Sequence, residues 1–279
     1  MLALEKKNFH TRDSRLKFNK YGHTYSTKEC PYLRSVSKVI SSQFPAFDKM
    51  KVSKKLENKG DYKGMKARQI RKMWESSGKE AREAGTVLHD QIEKYYNGVE
   101  VEADESDVAV DYFLEWDANH EDWEVYRTEW KVFDETLKIA GTIDAVFIDE
   151  NGEFVLVDWK RCKEIKKGNR FESALGKGLE HIPDCNFAKY SMQLNIYKLI
   201  LEKNYGISVS RMFIVNIHPA QSRYCHIEAM DMTEELKLVF GSNESTEIEP
   251  AKTSVGIVSA LESGKEVHFT GTFMLSKIK

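Results

Sequence analysis

The stretch Phe154-Val-Leu-Val-Asp-Trp-Lys160 places the tightest constraint on what this chain can fold into. Val155-Leu-Val157 is apolar at consecutive positions, and successive side chains of a strand point to opposite faces. A strand of this kind belongs in the middle of a sheet that is covered on both sides. It runs out into Asp158 and Lys160, which share one face because residues i and i+2 of an extended chain point the same way. Charge is costly to bury unless it is paired, so an aspartate and a lysine closing so apolar a strand need a reason. Taken alone, the triplet reads more readily as a surface ion pair on an edge strand; its surroundings change that reading.

Two further strands precede it. Trp123 to Phe133 and Leu137 to Ile148 alternate with period 2 and are joined by Asp134-Glu135, and Glu150-Asn-Gly152 turns the chain into the third strand. Met212 to Ile217 reads as a fourth. Phe18 to Tyr25 alternates around Gly22 as a small hairpin, and Ser35 opens a short helix that Pro45 ends. From Lys49 to Ala84 the spacing predicts basic helical pieces broken at Gly60, Gly64 and Gly78. A helix over Val87 to Tyr96 closes at Gly98, another spans Asp107 to Trp116, and Tyr190 to Asn204 reads as amphipathic. Residues 160–188 are basic and poorly periodic, a long loop with some helix. Weaker signals follow: a strand at Tyr224 to Ala229, a helix after Thr233 and another after Ser254. This order predicts an α/β core, a central mixed sheet flanked by helices, with a helical N-terminal extension over 1–84, the core over 85–220 and a C-terminal extension over 221–279.

The 279 residues are 41% apolar, enough to fill a core, and the formal charge of -2 announces no polyanion partner by itself. The distribution says more. Lys49 to Arg82 holds 12 Lys/Arg against 4 Asp/Glu, whereas Glu100 to Glu124 holds 11 acidic residues and no Lys or Arg. One face that attracts polyanions and one that repels them would result, although two solvated helix faces of opposite sign fit equally well. Cys30, Cys162, Cys185 and Cys225 show neither a disulfide-scaffold pattern nor zinc-ribbon spacing. With no apolar leader and no run of roughly 18 apolar residues, the expectation is a soluble intracellular protein with no membrane partner.

The chemistry gathers around Gly141-Thr-Ile-Asp144, in the strand before Asp158 and Lys160. Two carboxylates and an ammonium at a sheet margin suit phosphodiester hydrolysis. A hard cation such as Mg²⁺ takes one or two protein carboxylates and leaves positions for water and phosphate, and a lysine nearby stabilises the developing charge.

The ordered set Gly85-Thr-Val-Leu-His89, Gly141-Thr-Ile-Asp144, Val157-Asp-Trp-Lys160 and Gln193-Leu-Asn-Ile-Tyr197 resembles the RecB-like, Q-x-x-x-Y branch of the PD-(D/E)XK nucleases, over residues 85–197. The resemblance implies a restriction-endonuclease-like core and a hydrolase cutting nucleic acid with Mg²⁺ or Mn²⁺. His89, Asp144, Asp158 and the carbonyl of Trp159 would hold the metal, and Lys160 would act with Asp144 and Asp158 in catalysis. Gln193, Tyr197 and Arg161 would meet the substrate. Glu93 and Glu129 stand as possible outer carboxylates. Each alone has an ordinary reading: His89 as a hydrogen-bonded structural histidine, Gln193 and Tyr197 as part of a helix face. Some relatives bind an iron–sulfur cluster with one cysteine before the core and three after the Gln-Tyr helix; here Cys225 alone follows Tyr197, so no cluster is expected. The branch favours a DNA exonuclease in replication, repair or recombination, on single-stranded or duplex ends. An RNA endonuclease, or a binding protein that kept the fold without the activity, remains open. Trp74, Tyr95 and Tyr96 are candidates for stacking on unpaired bases.

Overall fold

The computed structural model describes residues 1–100 and 107–241. In chain order the elements are α1 (Ala3–Lys7), β1 (Lys17–Asn19), β2 (Thr24–Ser26), β3 (Arg34–Ser35), α2 (Val36–Gln43), α3 (Lys49–Leu56), α4 (Ala67–Tyr96), α5 (Val108–Ala118), β4 (Glu124–Asp134), β5 (Ile139–Ile148), β6 (Phe154–Lys160), α6 (Asn186–Asn204), β7 (Val209–Asn216), β8 (Cys225–Glu228) and α7 (Thr233–Phe240). β1 and β2 form the small hairpin. The other six strands make one mixed sheet in the order β3-β5-β6-β7-β8, with β4 also paired to β5. β4–β5, β5–β6 and β7–β8 are antiparallel; β3–β5 and β6–β7 are parallel.

The central strand is β6, as its double-faced apolarity requires. Val155 and Val157 pack with Leu88 and Ile92 of α4 and Phe113 and Trp116 of α5, whereas Leu156 packs with α2 and α6 on the other side. The result is an α/β architecture, a mixed sheet with helices on both faces, consistent with a restriction-endonuclease-like fold.

Three expectations need correction. Gly78 does not break the helical region: α4 is a single helix of 30 residues that runs through Gly78 and Gly85 and across residues 84 and 85, so the N-terminal region and the core share it. Within 160–188 the helix is confined to the last three residues, where α6 begins; 161–185 hold none, and an isolated bridge between Ser173 and Pro183 is their one regular pairing. Finally, α6 is not amphipathic. Phe187, Ala188, Ser191, Met192, Leu194, Asn195, Ile196, Tyr197, Ile200 and Leu201 are all buried, and they point around most of its circumference. The sheet covers one side. α7 and the segment leading into it close the other: Asn195 donates to the Met230 carbonyl (2.7 Å) and accepts from Met232 N–H (2.9 Å). Residues 221–241 therefore belong to the core packing, and the helix expected after Ser254 lies outside the described residues.

Gly141 of β5 sits directly under α6. A Cβ there would lie 2.7 Å from Tyr197 Cε1, 2.8 Å from its hydroxyl and 3.1 Å from Val36 Cγ2. Alanine in a strand is intrinsically better than glycine by roughly 0.5–1 kcal/mol, but overpacking a site that cannot yield costs about 1–3 kcal/mol. Tyr197 is buried on a helix that is itself enclosed, so the clash should win. Gly141→Ala is expected to lower stability by about 1–2 kcal/mol, read from the midpoint of urea unfolding; a midpoint equal to that of the parent protein would contradict this packing.

Candidate active site

The site is a fork between two strands. β5 and β6 pair from Ile148↔Phe154 to Ala145↔Val157 and then part; further along the same edge of β5, Ile139 and Ala140 pair with β3 instead. Beyond the last pair, Trp159 presents its N–H and carbonyl toward β5 with no strand to receive them. A buried backbone group needs a partner. Trp159 N–H donates to Asp144 Oδ2 (2.9 Å), and the Trp159 carbonyl faces His89 Nε2 (3.1 Å). The Trp159 ring turns the opposite way, into the core against Trp116 (centroids 4.8 Å apart) and Phe113 (5.6 Å).

His89 arrives from α4, one residue past Leu88, which anchors that turn in the core. Its Nδ1 lies 3.2 Å from Glu129 Oε1 and 3.7 Å from Asp144 Oδ1. Thr128↔Ala145 and Trp130↔Ile143 flank Glu129 and Asp144, so these two carboxylates oppose each other across the β4–β5 pair. Glu129 is also left-handed in backbone (φ 44°), a conformation costing a non-glycine residue of order 1–3 kcal/mol. Strain of that size persists where the surroundings enforce it, here on a carboxylate aimed at His89.

Asp158 and Lys160 lie on the α6 side of β6. Lys160 Nζ is 2.6 Å from Asp158 Oδ2, Gln193 Nε2 donates to Asp158 Oδ1 (3.0 Å), and the Tyr190 ring lies 4.8 Å from the ammonium. Tyr190, Gln193 and Tyr197 share one helix face by their spacing of three and four. Tyr190 was not singled out from the sequence, although its place three residues before Gln193 carries the signal.

The electrostatics follow from burial. Loss of water raises the Asp144 carboxyl, against the pull of His89 and Lys160. Burial likewise raises Asp158, against Lys160. Burial alone would lower the His89 imidazole, yet the Asp144 charge, with the hydrogen bond and charge of Glu129, outweighs it and pushes the ring up to about 9. The geometry agrees: only an imidazolium can donate to Glu129 through Nδ1 and to the Trp159 carbonyl through Nε2 at once. Burial would also lower the Lys160 ammonium; Asp158 and Asp144 prevail and raise it. This is a pocket of acceptors desolvated enough to hold positive charge tightly.

A divalent ion fits that donor set. One ligand atom each from His89, Glu129 and Asp144 lie within 4.8 Å of one another, and an imidazole with two carboxylates is a donor set for a divalent metal. The structure sets Glu129 beside His89 and Asp144 and turns Asp158 toward Lys160 and Gln193. Glu93 stays outside the group, along a cavity of about 240 Å³ that it lines with Glu5, Asn97 and Lys131, and burial with the Glu129 charge raises its carboxyl. The Arg161 guanidinium faces Asp107, the cap of α5, at 3.3 Å. The Tyr95 and Tyr96 hydroxyls both donate to Asp117 (2.7 and 2.6 Å) and both rings meet Phe113 edge to face; Tyr96 is half-buried and Tyr95 exposed.

The sequence matches the family model of the PD-(D/E)XK nuclease superfamily over residues 105–263. No curated protein matches it. Among solved structures, the crystal structure of SSO0001 is similar over 73% of this chain and 71% of that one, at 15% identity; its TM-score of 0.30 is too low to bear on the argument. Among the described residues, no helix is long and apolar enough to cross a membrane.

Proposed function

Given that the chain belongs to the PD-(D/E)XK nuclease superfamily, we propose that it is a Mg²⁺- or Mn²⁺-dependent deoxyribonuclease of the RecB-like branch, an exonuclease working from single-stranded ends in replication, repair or recombination. The observation that carries the reading is the fork: β5 and β6 part where Asp144, Asp158, Lys160 and the Trp159 carbonyl converge, with His89 and Glu129 closing the gap. In this reading His89, on losing the proton it carries without metal, would hold the ion with Asp144, Asp158 and the Trp159 carbonyl, and Glu129 would join them. A bound cation would polarise the phosphoryl oxygen and lower the pKa of its water.

The residues of the chain do the rest. Lys160 is kept charged by its carboxylate neighbours, so it acts as a donor that orients the attacking water and meets the charge developing on phosphate, and not as a base. Gln193 fixes the Asp158 carboxylate by its hydrogen bond. Tyr197, wedged on Gly141, sets the spacing between α6 and the fork. Arg161, paired with Asp107, would leave that carboxylate to meet an incoming phosphate.

Digestion of end-labelled linear and circular DNA and RNA, single- and double-stranded, tests this directly. Linear single-stranded DNA should be degraded from its ends with Mg²⁺ or Mn²⁺, circles should survive, and EDTA should abolish the activity. Cleavage that persists in EDTA would remove the metal from the mechanism; cut circles would make the protein an endonuclease.

A further inference from the structure

The mechanism uses only the C-terminal end of α4. Its N-terminal half, with α3, carries most of the basic excess noted above, 12 Lys/Arg against 4 Asp/Glu between Lys49 and Arg82. Among the described residues Lys49 pairs with Glu75 (3.2 Å) and Lys79 with Glu83 (3.7 Å); the other ten cations make no ion pair. So much unneutralised charge on two packed helices favours a polyanion.

The same surface holds aromatic rings with no core to fill. Phe47 is 67% exposed. Its ring lies 5.7 Å from that of Trp74, and Trp74 is fixed from behind, donating its indole N–H to the Tyr62 hydroxyl (3.0 Å) with the two rings edge to face at 6.0 Å. Phe47, Lys49, Trp74, Glu75 and Arg82 line a shallow groove of about 510 Å³, in which Lys49 offsets the Glu75 charge. Clamped rings beside free cations suit unpaired bases on a phosphate backbone. A duplex keeps its base faces stacked inside, and an acidic peptide lacks the regular alternation of anionic backbone and flat base that matches rings beside cations.

α4 connects this groove to the fork. At 3.6 residues per turn, Arg71, Trp74, Gly78, Arg82 and Gly85 all fall within about 60° of His89 around the helix axis, and Trp74 stands about 22 Å from His89 along it. Glycine inside a helix costs roughly 1 kcal/mol relative to alanine. Among the described residues, no packing partner outside that turn of α4 lies within 4 Å of where a Gly85 Cβ would be, so packing among them does not explain that glycine; it leaves the stripe low enough for a strand to pass.

We propose that α3 and the N-terminal half of α4 form a holding site for single-stranded nucleic acid, in which bases stack on Phe47 and Trp74 and the backbone runs past Arg82 to the fork at His89. The inference rests on the nuclease reading only for the direction of the strand. At about 3.4 Å per stacked nucleotide the path spans about six nucleotides, fewer if the strand is stretched.

Binding to the full-length protein in EDTA, where no cleavage intervenes, tests it by fluorescence anisotropy with labelled oligo-dT and oligo-U of 4 and 16 nucleotides and a blunt 16-base-pair duplex. The 16-mers should bind at least about tenfold more tightly than the 4-mers, and Phe47→Ala should weaken 16-mer binding about five- to 100-fold, the range of one lost base stack. Arg82→Ala should lower the slope of log K against log salt by about 0.7. Tyr21→Ala, another exposed aromatic, serves as the control and should change nothing. The Phe47 ring makes no hydrogen bond and is largely exposed, so its variant should fold; Trp74→Phe, which keeps a ring, should lose less affinity than Trp74→Ala. A preference between dT and U identifies the strand that the site takes, and either supports it. A duplex bound as tightly as the single strands, or an unchanged Phe47→Ala, overturns the proposal. Metal-dependent cleavage with unchanged Phe47→Ala binding would keep the nuclease reading and discard this one; intact binding effects without any cleavage would do the reverse.

Discussion

Replacing Lys160 with methionine should reduce cleavage of labelled single-stranded DNA by about 10²- to 10³-fold or more, the usual effect of removing one donor aimed at transition-state charge. Methionine keeps the apolar stem against Tyr190 and removes only the ammonium. Asp158 is then a buried carboxylate without its cation, with Gln193 as its remaining hydrogen-bond donor. Burial already raises that carboxyl, so it can take up a proton instead of unfolding the strand. The variant should therefore stay folded by circular dichroism and bind oligonucleotides about as well as the parent. Activity within threefold of the parent would disprove the assignment of Lys160, and with it the site.

The second large effect is on stability, at Arg127 and Trp130, either side of Glu129 in β4. Asp13 accepts from Arg127 Nη1 (2.8 Å) and the His10 N–H (3.1 Å) through one oxygen and from the Trp130 indole (2.8 Å) through the other. The guanidinium also reaches the Asn8 carbonyl and covers the Trp130 ring at 4.8 Å. Both charged side chains are almost fully buried. Asp13→Ala leaves a buried guanidinium without its counter-charge and an indole N–H without an acceptor, and removing one partner of a buried pair typically costs about 3–5 kcal/mol. At about 2–4 °C per kcal/mol for a domain of this size, the melting temperature should fall by roughly 6–20 °C. A fall of less than 2 °C would mean that the pair holds nothing together.

These two clusters differ in how far the sequence discloses them. Asp144, Asp158 and Lys160 are legible because each interrupts an apolar, period-2 run where charge has no structural reason to be. His89 and the Gln193–Tyr197 pair are legible only as members of an ordered set, since each is ordinary on its helix. Glu129 is harder. A glutamate in a half-buried strand looks unremarkable until the register sets it opposite Asp144 and the backbone φ of 44° shows the enforced turn toward His89. Asp13 and Arg127 are 114 residues apart, and nothing local marks them as partners.

The fold shows the same division between local and distant causes. Val155-Leu-Val157 announces a central strand because its constraint is local. Gly78 and Gly85 suggest helix ends for an equally local reason, a penalty of about 1 kcal/mol each. They are overruled because a helix propagates cheaply once begun, and Leu88 and Ile92 fasten the downstream turns of α4 to the sheet. The expectation of an amphipathic α6 fails because its second apolar side is covered by Met230, Met232 and α7, from the next 40 residues, where the pattern is weakest.

That enclosure of α6 bears on how the centre works. A helix wrapped on nearly every side cannot be rearranged by an arriving ligand without disturbing the interior, so Tyr190, Gln193 and Tyr197 reach their stations while the chain folds. The expense of aiming dipoles and charges is met once, at the birth of the molecule, and no turnover has to meet it again.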